Sequence, residues 1–169
     1  MSTRFISRCV LVMVVCLSAW GRSASADTFV LHDAQMTVPE GWGMKTAQDG
    51  VSTLLPRDRG HFIELYRFKT MPAADTNAIA ALFAARKNTT DVVITKAGSA
   101  SGAVSAMGSL KIKGTPVSIG LLAIKVKDHV VVLVSYIETS HRDEVKGIHE
   151  AIFKSLKAAE SPKRGAARE

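Results

Sequence analysis

The 169-residue sequence predicts one domain of mixed α and β structure in which strands outnumber helices. Short β-branched or alternating segments, separated by Gly- and Pro-containing turns, fill most of the chain, and two amphipathic helices interrupt them. Two late strands are apolar at odd and even positions alike, which indicates a sheet covered on both faces. With 47% hydrophobic and 22% charged residues, the composition excludes disordered and collagen-like chains.

Residues 1–26 have the three parts of a secretory signal peptide. Arg4 and Arg8 form a basic start, residues 10–20 are apolar, and Ala24-Ser25-Ala26 provides small residues for cleavage between Ala26 and Asp27. A membrane anchor is the alternative, but the apolar run is much shorter than the roughly 20 residues that a spanning helix needs. Lipoprotein processing at Cys16 is disfavoured because no small residue stands just before it. We therefore expect a periplasmic or secreted protein.

Cleavage after Ala26 would remove three arginines and both cysteines, Cys9 and Cys16. The remaining chain has 19 basic and 15 acidic residues, so the net charge falls from +7 to +4. This smaller excess weakens the case for nucleic acid as a partner. Because the mature chain has no cysteine, it has neither a disulfide nor a thiolate, and its core must be held by packing.

The first half of the mature chain predicts strands. Extended segments are expected at residues 28–31, 35–38, 42–45, 51–55 and 61–68. Turns are expected at Pro39-Glu40-Gly41, at Gln48-Asp49-Gly50 and at residues 56–60. Three or four of these segments should form strands before the first helix.

A helix should follow, with Asp75 as its N-cap and Lys87 near its end. Its apolar positions repeat at helical spacing at Ile79, Leu82 and Phe83. Residues 92–95 are β-branched and predict a strand, whereas residues 96–103 are small and polar and predict a mobile loop. From the first strand to the last helix, a single domain is expected over residues 27–157.

Three longer strands are predicted next, at residues 104–113, 117–126 and 129–138, joined by turns at residues 114–116 and 127–128. The final helix should be capped by Thr139 or Ser140, with Asp143 and Glu144 in its first turn. Its packed face is expected at Val145, Ile148, Ile152 and Leu156. Residues 158–169 have no large apolar side chain and predict a disordered tail.

The order of these elements resembles the PsbP-like family, which includes the photosystem II extrinsic protein, the Ran-binding Mog protein of yeast and many exported bacterial proteins. The resemblance rests on residues 36–42 (MTVPEGW), 54–56, 63–68, 130–136 and 152–156. It implies an α+β fold, an antiparallel β-sheet sandwiched between helices as an α/β/α sandwich, with Trp42 packed in the core. It also implies binding to other proteins, with no shared catalytic residue and no cofactor.

The histidines do not form a recognisable metal or catalytic pattern. None of His32, His61, His129, His141 and His149 lies three or four residues from another, and no HExxH motif occurs. Each is interpreted as a solvated or capping side chain. Neither a G-x-S-x-G elbow nor a phosphate-binding glycine loop is present.

Two basic groups are candidate binding residues. Lys111 and Lys113, with Lys125 and Lys127, alternate on neighbouring predicted strands, so their ammonium groups are expected at one end of the sheet. Arg57 and Arg59 lie in a charged turn and would suit a carboxylate or phosphate. The alternative for both groups is a solvated surface that keeps the sheet soluble.

Three functions remain open from the sequence. The favoured one is an exported, non-enzymatic module that binds a protein partner in the cell envelope as an accessory or assembly factor of a larger complex. The second is a carrier or sensor of a small ligand in a groove between sheet and helix. The third is a hydrolase with a degenerate site, which would require a buried cluster with perturbed pKa values.

Overall fold

A computed structural model describes residues 26–57, 60–87, 89 and 91–159. The predicted signal peptide before Ala26 and residues 160–169 of the predicted tail lie outside the described residues. So does Arg59, one of the candidate binding residues.

Ten strands and two helices form the described part of the chain. The strands are β1 (Ala26–Leu31), β2 (Ala34–Pro39), β3 (Gly43–Thr46), β4 (Ser52–Leu55), β5 (His61–Phe68), β6 (Val92–Ala100), β7 (Ala103–Ile112), β8 (Thr115–Val126), β9 (His129–Glu138) and β10 (Lys157–Ala158). The helices are α1 (Thr76–Lys87) and α2 (Arg142–Ser155). Five strands therefore precede α1, one more than the upper limit expected.

All strand pairs are antiparallel and form two sheets. The large sheet has the order β3-β4-β5-β9-β8-β7-β6, and the small sheet has the order β1-β2-β10. Strand β9 lies in the middle of the large sheet, and its residues are buried from His129 to Ile137. This confirms one of the two strands that the sequence predicted to be covered on both faces. The prediction is wrong for β8, which is buried on one face and only half-buried on the other, because α2 does not cover it fully.

Two hydrophobic cores lie on opposite faces of the large sheet. One contains Ile79 and Phe83 of α1 with Val132 and Tyr136 of β9. The other contains residues of the small sheet, Trp42 and Ile152 of α2. Alternate residues of β9 point into the two cores because side chains alternate along a strand. The antiparallel sandwich predicted through the family resemblance is therefore confirmed.

Helix α1 begins as the sequence predicts. The carboxylate of Asp75 accepts a hydrogen bond from the backbone N–H of Ala78 at 2.9 Å, which satisfies one of the free donors of the first turn.

The predicted loop over residues 96–103 is wrong. Strand β6 continues to Ala100, and β7 begins at Ala103. Ser101 and Gly102, with φ values of 51° and 76°, make the two-residue turn of a hairpin. The small polar residues on β6 have low strand propensity, but ladder hydrogen bonds to β7 hold them in the sheet.

The hairpin between β7 and β8 also turns earlier than predicted. Lys113 and Gly114, with φ values of 49° and 85°, form the turn, while Thr115 and Pro116 already pair with β7.

The beginning of α2 differs from the sequence prediction. Thr139 and Ser140 belong to a short 3-10 turn, Thr139–His141, and His141 takes the N-cap position without a side-chain cap hydrogen bond. Asp143 and Glu144 do lie in the first turn.

The chain after α2 stays in the fold for longer than predicted. Ala158, expected to begin the tail, pairs with Ala34 in the small sheet. The backbone N–H of Ala159 donates to the carbonyl of Asp33 at 2.7 Å.

Candidate functional site

A groove with a volume of about 470 Å³ lies between α2 and the large sheet. Strands β6, β7 and β8, with Ser135 and Ile137 of β9, form its floor, on the face of the sheet that faces α2. The small sheet and α2 cover this face over β5 and β9. Neither the small sheet nor α2 fully covers the outer strands β6, β7 and β8, so a groove stays open there. Its volume lies within the range of about 300–1,000 Å³ typical of ligand sites.

Helix α2 forms one wall of the groove through a stripe at helical spacing, Arg142, Lys146, Glu150 and Phe153. A second stripe beside it packs into the core through Val145, His149 and Ile152. Ile148, which the sequence placed on the packed face, is 36% exposed. At 100° per residue, Ile148 lies beyond the edge of the buried stripe on the side away from the groove, whereas His149 lies at the edge nearer the groove. The sequence prediction for Ile148 is therefore wrong.

A β-bulge shapes the opposite rim of the groove. Ile94 pairs with Gly108 and Lys96 pairs with Met107, so Thr95 is an extra residue on β6. As a result, the adjacent residues Thr95 and Lys96 both line the groove instead of pointing to opposite faces. The hydroxyl of Thr95 donates to the carbonyl of Met107 at 3.2 Å, which holds the bulge in place.

Small and polar residues cover the floor. The serines that line the groove are Ser105, Ser109, Ser118 and Ser135. Among the described residues, none of their side-chain hydroxyls has a hydrogen-bond partner. A Cβ atom at Gly120 would lie 3.1 Å from the hydroxyl oxygen of Ser135, so the glycine leaves depth where a side chain would fill the groove. The floor therefore offers hydrogen-bonding groups that the fold itself does not use.

A buried histidine pair adjoins the groove. The Nδ1 atom of His61 and the Nε2 atom of His149 are 2.9 Å apart, so one ring nitrogen donates to the other. The indole of Trp42 contacts both imidazoles edge-on, with centroid distances of 5.5 and 5.8 Å. Trp42 is 9% exposed, which confirms its predicted place in the core.

His149 is held neutral by its surroundings. Burial, with a smaller contribution from the nearby His61, lowers the pKa of His149 from 6.5 to about 4. Its Nδ1 atom is buried without a hydrogen-bond partner, although the residue lines the groove. His149 therefore links the packed core to the groove wall.

The interpretation of all five histidines as solvated or capping is wrong for three of them. His61, His129 and His149 are 3–6% exposed. His129 contacts the carbonyl oxygen of His32 at 2.7 Å through Nε2 and the carboxylate of Asp128 at 3.0 Å through Nδ1. These contacts tie the turn before β2 to the turn before β9.

The four candidate lysines do not share one end of the sheet. Lys111 pairs with Pro116 near the start of β8, whereas Lys125 lies near its end, opposite Val130. Nine residues separate Pro116 from Lys125, which corresponds to about 30 Å of strand. The sequence prediction failed because the β7–β8 and β8–β9 turns lie at opposite ends of β8.

Two of these lysines form exposed ion pairs. The ammonium of Lys111 lies 3.8 Å from Asp91, and that of Lys127 lies 2.7 Å from Asp33. Arg57 and Lys113 instead line a second cavity of about 490 Å³, together with Tyr136 and Glu138. The fold thus brings one predicted arginine and one predicted lysine together. Their role in binding stays a prediction.

No group of three His, Cys, Asp or Glu side chains that could hold a metal ion occurs among the described residues. Within the same residues, no helix has the length and apolar character needed to cross a membrane.

The sequence analysis named a groove between sheet and helix in one hypothesis, but it missed the residues that line the groove and the histidine pair beside it. His61 and His149 are 88 residues apart, so no local spacing could join them. The polar floor could have been recognised from the sequence of β7, because Ser105 and Ser109 alternate with apolar residues that are buried, namely Val104, Ala106 and Leu110. Such alternation indicates a polar face on an otherwise packed strand.

The class defined by this architecture is an α+β sandwich with an open groove beside its last helix. By sequence, neither a protein-family model nor a curated protein matches the chain. By structure, it is similar to the Ran-binding protein Mog1p of Saccharomyces cerevisiae, with a TM-score of 0.57, 13% identity, and coverage of 82% of this chain and 97% of that one.

Cyanobacterial PsbP (CyanoP) from Synechocystis is similar with a TM-score of 0.58 and 12% identity, over 84% of this chain and 98% of that one. A protein of unknown function from Pseudomonas aeruginosa has a TM-score of 0.50 and 13% identity, over 80% and 99% of the two chains. The chain therefore has the PsbP-like fold that its sequence predicted.

Proposed function

We propose that this chain is an exported, non-enzymatic module that binds a protein partner in the cell envelope, as an accessory or assembly factor of a larger complex. The groove between α2 and strands β6–β8 is its binding surface. The observation that carries the proposal is the set of unused polar groups there, namely the four serine hydroxyls on the floor and the guanidinium of Arg142 on the wall. Polar groups without a partner inside the protein can form hydrogen bonds to a binding partner. The wall formed by α2 encloses these groups, which distinguishes the groove from an open, solvated sheet face.

The side-chain geometry supports binding over hydrolysis. Within the described residues, a serine hydroxyl contacts a histidine ring at Ser140 and His141, 3.1 Å apart on an exposed turn. The carboxylate of Glu138 lies 3.8 Å from the same ring nitrogen, Nδ1. A catalytic relay needs the serine and the acid on different nitrogens of the ring, so this group does not activate a nucleophile. The Nε2 atom of His149 contacts the imidazole of His61, and within the described residues its Nδ1 atom has no hydrogen-bond partner, so no serine hydroxyl contacts the ring of His149.

The known partners of similar structures agree with this proposal. Mog1p is a Ran-binding protein, so the PsbP-like fold serves protein binding in at least one other chain. Fold similarity alone does not name a partner for this chain.

Export is the part of the proposal that rests on residues 1–26. We expect the mature protein to begin at Asp27, because the basic, apolar and small-residue parts of this segment are those that signal peptidase recognises. N-terminal sequencing of the protein from the envelope fraction of its own host identifies the first residue of the mature chain. Recovery of intact residues 1–26 on membrane-bound protein would contradict it.

Filling the groove should abolish partner capture. Ser118 lies on the floor and is half-buried, so the indole in Ser118→Trp would occupy the space between β8 and α2. We expect capture of the envelope partner by the tagged full-length chain to fall at least about tenfold. Ala151→Trp is the matched control, because Ala151 is exposed on α2 and does not line the groove.

The result must be compared with charge reversal at the sequence-predicted residues. If Lys125→Glu and Arg57→Glu weaken capture while Ser118→Trp does not, the binding surface lies elsewhere and the groove assignment is wrong. Circular dichroism of each variant checks that the fold is retained.

A small-ligand carrier is the second candidate function, and the volume of the groove favours it. A site of about 470 Å³ can enclose a small molecule. Native mass spectrometry of protein purified from its own host distinguishes the two. A retained mass that is lost in Ser118→Trp would support the carrier.

A further inference from the structure

The groove is lined by three basic side chains and one acidic side chain, so its lining carries a net positive charge. Arg142 and Lys146 lie on the α2 wall, and Lys96 lies on the opposite rim. Glu150 is the acidic residue lining the groove, and it lies 3.6 Å from Lys146. The side chains of Arg142 and Lys96 form no hydrogen bond or ion pair with any described residue. An occupant with carboxylates would pair with charges that the fold leaves unpaired on both sides.

The floor favours an extended occupant over a helical one. The hydroxyls of Ser105, Ser109 and Ser118 can each donate and accept a hydrogen bond. The backbone of a helix satisfies its own N–H and C=O groups, so a helix would bury these hydroxyls without partners. An extended segment presents free N–H and C=O groups at every residue. From Ser105 to Ser109 the floor measures about 13 Å, which matches four or five extended residues.

The groove also offers apolar contact. Met107 lies between the two serines on the floor and is 47% exposed, and Val93 is 58% exposed on the neighbouring strand opposite Ser109. Phe153 lies on the α2 wall of the groove, 3.8 Å from where a Cβ atom at Gly120 would stand. Methionine adapts its shape to a partner side chain, so alternate aliphatic residues of an extended segment would pack here.

We infer that the groove takes an extended acidic segment of the protein partner. Carboxylates of the segment pair with Arg142 and Lys96, its peptide groups hydrogen-bond to the floor serines, and its aliphatic side chains contact Met107. This inference rests on the proposed function and adds the chemistry of the partner to it.

The test uses a fluorescein-labelled hexapeptide with alternating glutamate and leucine. Its matched control has glutamine at every glutamate position. Fluorescence anisotropy with the purified protein at low ionic strength measures the two affinities. We expect the glutamate peptide to bind at least about tenfold more tightly, and its affinity to fall as salt screens the charges.

Two variants locate the effect. The double substitution Arg142→Glu and Lys146→Glu should remove the preference for glutamate, because it reverses the charge of the α2 wall. Lys154→Glu changes the net charge in the same direction per residue, but Lys154 is exposed on α2 and does not line the groove, so this variant should leave the preference intact. Circular dichroism verifies that both proteins are folded.

Each outcome decides a separate point. Equal affinity for the two peptides, or a glutamate preference that survives the double substitution, would overturn the acidic occupant. No binding of either peptide would overturn the extended segment, while the proposed function would stand if Ser118→Trp still blocks capture of the partner. If Ser118→Trp leaves capture unchanged, the groove fails as a binding surface altogether.

Discussion

The free energy of unfolding should fall by about 3 kcal/mol between pH 7 and pH 4 because of His149 alone. The pKa of this buried ring is lowered to about 4 in the folded protein, whereas the unfolded chain titrates near 6.5. Between these two values the unfolded state binds a proton that the folded state does not. Acidification therefore favours unfolding, and the stability present above pH 6.5 is lost as the pH falls toward 4.

Urea denaturation at a series of pH values measures this effect. His149→Gln is the informative variant, because glutamine keeps a polar group near His61 but carries no titrating charge. Between pH 7 and pH 4, the free energy of unfolding of this variant should fall by about 3 kcal/mol less than that of the natural chain. A variant with the same pH dependence as the natural chain would show that His149 is not held neutral by burial.

Gly108→Ala should lower the free energy of unfolding by about 2 to 3 kcal/mol. Gly108 faces the β6 bulge, where an added Cβ atom would meet the carbonyl oxygen of Val93 and lie 2.9 Å from the Cα atom of Ile94. Both are backbone atoms, so a side-chain rotation cannot relieve the clash. The bulge must shift, and with it the rim that carries Thr95 and Lys96.

Gly98→Ala is the matched control within the same hairpin. A Cβ atom at Gly98 would meet nothing within 4 Å, so its effect on stability should stay within about 0.5 kcal/mol. Thermal or urea unfolding of the two variants compares them directly. Equal stabilities would mean that the bulge adapts to an alanine, and that Gly108 does not define the rim of the groove.

Much of the fold follows from local patterns in the sequence. The capped helix α1 starts where Asp75 predicts, and the apolar run of β9 is buried on both faces. The order of elements was enough to predict the PsbP-like fold, which the structural similarities confirm. Export and the cleavage site after Ala26 stay predictions from residues 1–26.

Local patterns failed where pairing partners decide the structure. Residues 96–100 have the composition of a loop but form a strand, because β7 provides hydrogen bonds that outweigh their propensity. The candidate lysines illustrate the same limit. Their alternation is visible in the sequence, but the length of β8 places Lys111 and Lys125 at opposite ends.

The sequence was enough to predict most of the strands, both helices and a central strand covered on both faces, because these features depend on the periodicity of neighbouring residues. Which side chains come into contact could be seen in the folded structure alone. The contact of His61 with His149 spans 88 residues, and the groove joins residues of five separate elements. Such contacts depend on strand order, register and the rotation of α2, which are set by packing the whole chain and leave no local signature.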